Sequence, residues 1–150
     1  MKILVLGHRG TLGSDLMLRM QGAHDITGKD IDDFDISVEE ECRHVIADSS
    51  PDVVINAAAC TNVDECEKDR NRCYAVNAVG VKNAALACGR KGIRIVHFST
   101  DCIFDGRKPI PYVEEDEPAP LNVYGASKLE GERFLQAFSQ GWLLIRTSWL

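Results

Sequence analysis

KILVLGHRGTLGSDLMLRM, residues 2–20, is the stretch that decides the fold. Lys2–Leu6 is a short apolar run that reads as a buried strand. Gly7, Gly10 and Gly13 then recur at every third position, while Leu12, Leu16, Met17 and Met20 keep the spacing of one helix face. A strand, a glycine-rich turn and a helix in that order make a phosphate cradle. The glycines let backbone come close to a pyrophosphate, and the amino end of the helix favours negative charge. The spacing is G-x-x-G-x-x-G rather than the commoner G-x-G-x-x-G, and taken alone it serves equally well for tight strand–helix packing. Asp30, a little over 20 residues beyond Gly7, tips the reading towards a dinucleotide. At the end of a second strand its carboxylate accepts hydrogen bonds from the adenosine ribose, which favours NAD over NADP. Arg9 and Lys29 point the other way, as partners for a 2′-phosphate, and Asp30 also reads as one acid of a solvated stretch with Asp32, Asp33 and Asp35.

Outward from this stretch, strand and helix patterns alternate. Helix is expected over about 12–20, a strand near 25–29, a helix over 38–49 and a strand at 52–56 (DVVIN). A helical tract over 72–91, a strand at 93–98 (IRIVHF), a helix over 122–139 and a strand at 142–147 (WLLIRT) complete the series. Ser37 with Glu40 reads as a capping box for the second helix, Ser50-Pro51 as a break, and Gly89 with Gly92 as the end of the long helix. Such alternation predicts βαβ units and a doubly wound parallel sheet, with ligands at the carboxyl ends of the strands.

The second chemical signal follows the IRIVHF strand. Ser99, Thr100 and Asp101 end it, and Tyr124 and Lys128 lie on the next helix. Four positions make about one helical turn, so the phenol and the amine share a face. A cation beside a phenol favours phenolate, and a hydroxyl at the strand end can hold a substrate oxygen against it. Together they make a proton-transfer device for a carbonyl or an alcohol. Read singly, Tyr124 and Lys128 are a surface pair and Thr100 merely ends a strand; the glycine turn reverses that reading.

Composition sets bounds. A chain of 150 residues with 45% hydrophobic and 27% charged residues suits one globular domain. A net charge of −6 argues against nucleic acid as the partner, no apolar run reaches membrane-spanning length, and no signal peptide opens the chain, which leads us to expect a cytoplasmic protein. Cys42, Cys60, Cys66, Cys73, Cys88 and Cys102 form no C-x-x-C, and His8, His24, His44 and His97 form no H-x-x-x-H. Reduced structural thiols and no metal site are expected. His97 alternates with apolar neighbours and reads as packed rather than catalytic.

The ordered set LGHRGTLG (Leu6–Gly13), PDVVINAAACTNVDECE (Pro51–Glu67), AVNA (Ala75–Ala78), STDCIFDG (Ser99–Gly106), PLNVYGASKLEGE (Pro120–Glu132) and RTSW (Arg146–Trp149) resembles the extended short-chain dehydrogenase/reductases, in particular the dTDP-4-dehydrorhamnose reductase family. The resemblance implies an NAD(P)-binding Rossmann fold, NADPH or NADH as cofactor, and a nucleotide-sugar whose 4-keto group is reduced. It implies that Gly10, Thr11 and Leu12 cradle the pyrophosphate, with Gly7 and Gly13 completing the turn. Asp30 takes the ribose, Asp35 and Ile36 lie along the adenine, and Ala59, Cys60, Thr61 and Phe98 follow the cofactor. Thr100, Asp101 and Trp149 meet the sugar, Tyr124 donates the proton, and Lys128 activates it and binds the nicotinamide ribose. Cys60 replaces the aromatic or histidine frequent in the family, and Cys102 the usual tyrosine of S-T-D-Y. Relatives continue past R-T-S-W into a lobe that grips the sugar, so residues 1–150 are expected to be the dinucleotide domain of a longer reductase, inactive alone, with a homodimer possible. The competing readings are a dinucleotide-binding regulatory protein resembling the β subunit of methionine adenosyltransferase, and a related nucleotide-sugar epimerase or dehydratase.

Overall fold

A computed structural model describes residues 1–148 of the chain. Its strands are β1 (Lys2–Leu6), β2 (Asp25–Lys29), β3 (Val53–Asn56), β4 (Arg94–Thr100) and β5 (Trp142–Thr147). Its helices are α1 (Thr11–Met20), α2 (Glu39–Ser49), α3 (Val63–Lys68), α4 (Arg70–Tyr74), α5 (Val81–Lys91) and α6 (Val123–Phe138). All five strands are parallel, in the order β2-β1-β3-β4-β5. The chain leaves β1 for β2 on one side and returns to place β3 on the other, so the order reverses between β1 and β3. In an open parallel sheet the crevice at such a reversal is where ligands bind.

The period of two along β1 sends its side chains to opposite faces and builds two cores. Leu4 and Leu6 join Ile46, Val54, Val81, Ala84, Ala85, Ile95 and Leu135 beneath α2, α5 and α6. Ile3, Val5 and Ile55 pack against Leu16, Met17 and Met20 of α1 on the other face. The inner strands β1 and β3 sit between layers, which is why they read as continuous hydrophobic segments.

Three local expectations need correction. Helix α3 lies within PDVVINAAACTNVDECE, a segment from which no helix was expected; Asn62 caps it by accepting from the Glu65 amide. The tract expected over 72–91 is interrupted by a π-helical segment, Ala75–Gly80, between α4 and α5. The Ser37–Glu40 capping box does not form: Val38 occupies the cap position of α2, and the Ser37 hydroxyl donates instead to Asp35 Oδ1 at 2.7 Å. Asp35 sits in a tight turn one residue before Ile36, and that nearer carboxylate captures the serine.

Helix α6 is tied to β5 by a buried ion pair. Glu132, only 2% exposed, accepts from Arg146 Nε at 3.1 Å and from its terminal nitrogen at 2.8 Å. The guanidinium also lies over the Phe104 ring and donates to Glu114 O. Removing the arginine strands a carboxylate away from water, the costly way to break such a pair. Arg146→Met should lower stability by about 3 kcal/mol, the low end for an orphaned buried charge because Arg146 is partly solvated. Urea denaturation reads this directly.

Candidate active site

The carboxyl ends of β1, β3 and β4 enclose a cleft of two joined chambers. The smaller, about 250 Å³, runs from Gly7 and Asp30 past Asp35 and Ile36 to Cys60. The larger, about 520 Å³, runs from Thr11 and Leu12 past Thr61 and Phe98 to Thr100, Asp101, Tyr124 and Lys128. Gly10, Ala57, Ala58 and Ala59 line both, so the chambers meet over the glycine turn.

The turn is built from backbone approach. Gly7 has φ +78°, and a Cβ there would stand 2.6 Å from Ala58 N. A Cβ on Gly13 would overlap Gly7 O and come within 2.7 Å of His8 Cα, so this glycine lets α1 close onto the turn and does not itself line the cleft. Gly10 differs: a Cβ there meets nothing nearer than Gly7 O at 3.5 Å. It caps α1 with no side chain offering an acceptor and no acid in the first turn. The amino end of α1 is left for an anion at the junction of the chambers.

In the smaller chamber, the Asp30 carboxylate accepts from the Arg9 amide at 2.8 Å and the Ile31 amide at 2.8 Å. The two cations considered for a 2′-phosphate are paired with acids, Arg9 with Asp32 and Lys29 with Asp33. The adjoining loop is held by a residue that sequence reasoning missed: Asn83 on α5 donates to Ile36 O and Ser37 O, both at 3.0 Å. Arg72 and Val76 line this chamber and were likewise unforeseen.

A second missed residue lies between the chambers. Asn77, fully buried in the π-helical segment, accepts from Cys60 N at 2.8 Å and donates to Cys60 O at 2.9 Å. It also donates to Ser127 Oγ at 3.0 Å, and that hydroxyl donates to Tyr124 O at 2.7 Å. One amide thus clamps the loop after β3 to the helix of Tyr124, and the π turn is what delivers it. The signal was present in AVNA, a polar residue amid apolar ones on a helix.

In the larger chamber Tyr124, Lys128, Thr100 and Asp101 come together as expected. Asn122 caps α6 by accepting from the Gly125 amide at 2.7 Å, fixing where Tyr124 enters. The Thr100 hydroxyl donates to Asp101 Oδ1 at 3.1 Å and accepts from Cys102 N at 3.1 Å. The electrostatics depart from the sequence argument. Burial pushes the Tyr124 phenol up, and the neighbouring Thr100 hydroxyl offsets this in part. Lys128 does not acidify it: the amine donates to Phe98 O at 2.6 Å and lies 3.4 Å from His97 Nε2. Shared helix face gave proximity, but the amine turns under the sheet edge for its partners. Burial brings Lys128 down to about 8, opposed by the Glu132 carboxylate and by Cys73. A phenol held protonated and a lysine that releases its proton readily suit a site that donates protons.

The six cysteines are free, and burial pushes the Cys42, Cys66 and Cys88 thiols up to about 12. Among the described residues no cluster of metal-ligating side chains occurs, and no helix is long and apolar enough to cross a membrane. Trp149, expected to meet the sugar, lies outside the described residues.

Residues 1–150 match the family model described as the RmlD substrate binding domain. The chain belongs to that family. It is 41% identical to the dTDP-4-dehydrorhamnose reductase of Burkholderia thailandensis, covering 100% of this chain and 50% of that protein. Among solved structures it superposes on a dTDP-4-dehydrorhamnose reductase from Clostridium acetobutylicum with a TM-score of 0.96 at 39% identity, covering 99% of this chain and 54% of that one. The Bacillus anthracis dTDP-4-dehydrorhamnose reductase, solved in complex with NADP, superposes with a TM-score of 0.95 at 36% identity over 99% of this chain and 53% of that one. The chain therefore spans about half the length of the relatives it matches.

Proposed function

We propose that this RmlD-family chain is the dinucleotide-binding domain of a cytoplasmic reductase that converts dTDP-4-dehydro-L-rhamnose to dTDP-L-rhamnose with NADPH or NADH. The observation that carries the reading is the continuity of the cleft. A chamber ending at Asp30 joins, over the Gly10 turn and the uncapped end of α1, a larger one that holds Tyr124, Lys128 and Thr100. That shape and donor set fit a dinucleotide: a carboxylate at one end, unpaired helix amides in the middle, and proton-transfer groups at the other. Asp30, Asp35 and Ile36 would hold its adenosine, Gly10, Thr11 and Leu12 its pyrophosphate, and Ala59, Cys60, Thr61, Phe98 and Lys128 the remainder. When bound, the reduced nicotinamide supplies the hydride.

The chain's own residues manage the charge. Tyr124, kept protonated by burial, gives its phenolic proton to the substrate oxygen as negative charge grows there. The Thr100 hydroxyl turns from Asp101 to that same oxygen and donates a hydrogen bond. Lys128 stands beneath with a loosely held proton. Asp101 and Trp149 would contact the sugar, whose main grip belongs to the other half of the longer enzyme.

The test uses the full-length protein with NADPH and the keto-sugar nucleotide, following loss of the reduced-nicotinamide absorbance. One equivalent consumed per sugar reduced is the expected result. Tight dinucleotide binding without consumption, together with capture of a partner synthetase, would replace this reading with the regulatory one. Cofactor retained while the sugar is altered without net consumption would point to an epimerase or dehydratase.

A further inference from the structure

We infer that His97, locked as its Nε2–H tautomer by Asn56, is a positioning residue that aims this N–H at the Lys128 amine and opposes its ammonium form. Ala58 N donates to Asn56 Oδ1 at 3.1 Å, which fixes the orientation of the buried Asn56 amide. Its NH2 therefore faces His97 Nδ1 at 3.2 Å, and Nδ1 must accept. A neutral imidazole has one proton, so it sits on Nε2. His97 is fully buried, and burial, then the charge of Lys128, drives it well below the ordinary histidine range against the smaller opposing pull of the Asn56 backbone, so the ring stays neutral.

Nε2 lies 3.4 Å from Lys128 Nζ. A neutral amine accepts that N–H. An ammonium presents only N–H groups to it, and two donors repel. For the ammonium to donate to Nε2, the ring proton would have to move to Nδ1, the Asn56 amide would have to turn over, and Ala58 N would lose its acceptor. Leaving a backbone donor unpaired in the half-buried wall of the cleft is unfavourable. The remaining charged groups act on the amine from elsewhere: Glu132 on its own helix and Cys73 on α4 favour the ammonium, while Arg146 on β5 pairs with Glu132. The Phe98 carbonyl accepts from the amine in either state. His97 is the group of this set that acts as a donor towards Lys128, and the RIVHFST strand places it there by simple alternation, with Ile95, His97 and Ser99 all buried. What the tuned amine is for rests on the function proposed above; the tautomer and its effect on Lys128 do not.

The experiment uses the full-length protein without substrate, with ¹⁵N-labelled histidine and ¹³Cε-labelled lysine followed by NMR across pH. The expected result is a neutral His97 with the proton on Nε2 throughout, and a Lys128 midpoint near 8. In His97→Met, which removes the opposing donor and offers at most a weak acceptor, that midpoint rises by about one pH unit, a tenfold tighter hold on the proton. If His97→Met does not fold, Asn56→Asp serves: its carboxylate demands a proton on Nδ1 and turns the Nε2 lone pair to Lys128, so the ¹⁵N signals report the exchanged tautomer together with the raised midpoint. A proton found on Nδ1, an imidazole that titrates with Lys128, or a midpoint unmoved in the variant would each overturn the inference. Lack of reductase activity would sink the proposed function instead and leave these readouts standing. In an active enzyme the pH profile of turnover moves with the Lys128 midpoint, which a purely structural histidine would not cause.

Discussion

Tyr124→Phe in the full-length reductase should lower turnover by about 10²- to 10⁴-fold, the contribution of one positioned general acid. The variant removes one oxygen from a side chain that lines the larger chamber. The ring's burial and the backbone anchor from Ser127 to Tyr124 O stay intact, so the helix remains in place. Dinucleotide affinity should change little, because the glycine turn and Asp30 are untouched. Single-turnover kinetics with a parallel binding titration separate the two. Unchanged turnover would remove Tyr124 from the chemistry.

The second large effect is a contrast between two glycines three residues apart. Gly13→Ala forces a methyl group against Gly7 O and His8 Cα, atoms of backbone that cannot swing aside. It should cost about 3 kcal/mol, at the upper end for overpacking, and carry dinucleotide binding away with the displaced helix. Gly10→Ala meets only an ordinary contact at 3.5 Å, and its φ of −68° and ψ of 170° suit alanine. The fold should keep its melting temperature while dinucleotide affinity falls about tenfold to a hundredfold, the loss of one or two charge-assisted contacts to the pyrophosphate. Thermal unfolding and a dinucleotide titration on both variants decide the matter. Equal losses of stability in the two would mean that Gly10 packs the fold and does not serve a ligand.

The sheet was legible because its inner strands β1 and β3 are short apolar runs, its outer strands are short β-prone runs, and most of its helices are punctuated. Lys2–Leu6, Asp25–Lys29 and Trp142–Thr147 fall where the sequence places them. The positions gathered in the cleft were legible for a related reason: a parallel sheet brings its strand ends together, so Gly7, Asp30, Ala59 and Thr100 had to meet at one edge. What escaped was the pairing of polar groups across elements. The periodicity placed Lys128 beside Tyr124 but could not show that its amine turns to Phe98 O and His97. Ser37 looked like a helix cap until Asp35 took its hydroxyl. Asn77 stands out as the polar residue of AVNA, but neither it nor Asn83 reveals its partner, since each clamps a loop more than ten residues away in sequence. No local pattern marks the π-helical turn that carries Asn77.

A crystal structure of the full-length protein with NADPH bound tests the central claim most directly. The expected result is adenosine in the smaller chamber against Asp30, pyrophosphate over Gly10 and the amino end of α1, and the nicotinamide ring in the larger chamber facing the Tyr124 hydroxyl. A nicotinamide lying outside that chamber, or a Tyr124 hydroxyl turned away from the ring, would contradict it.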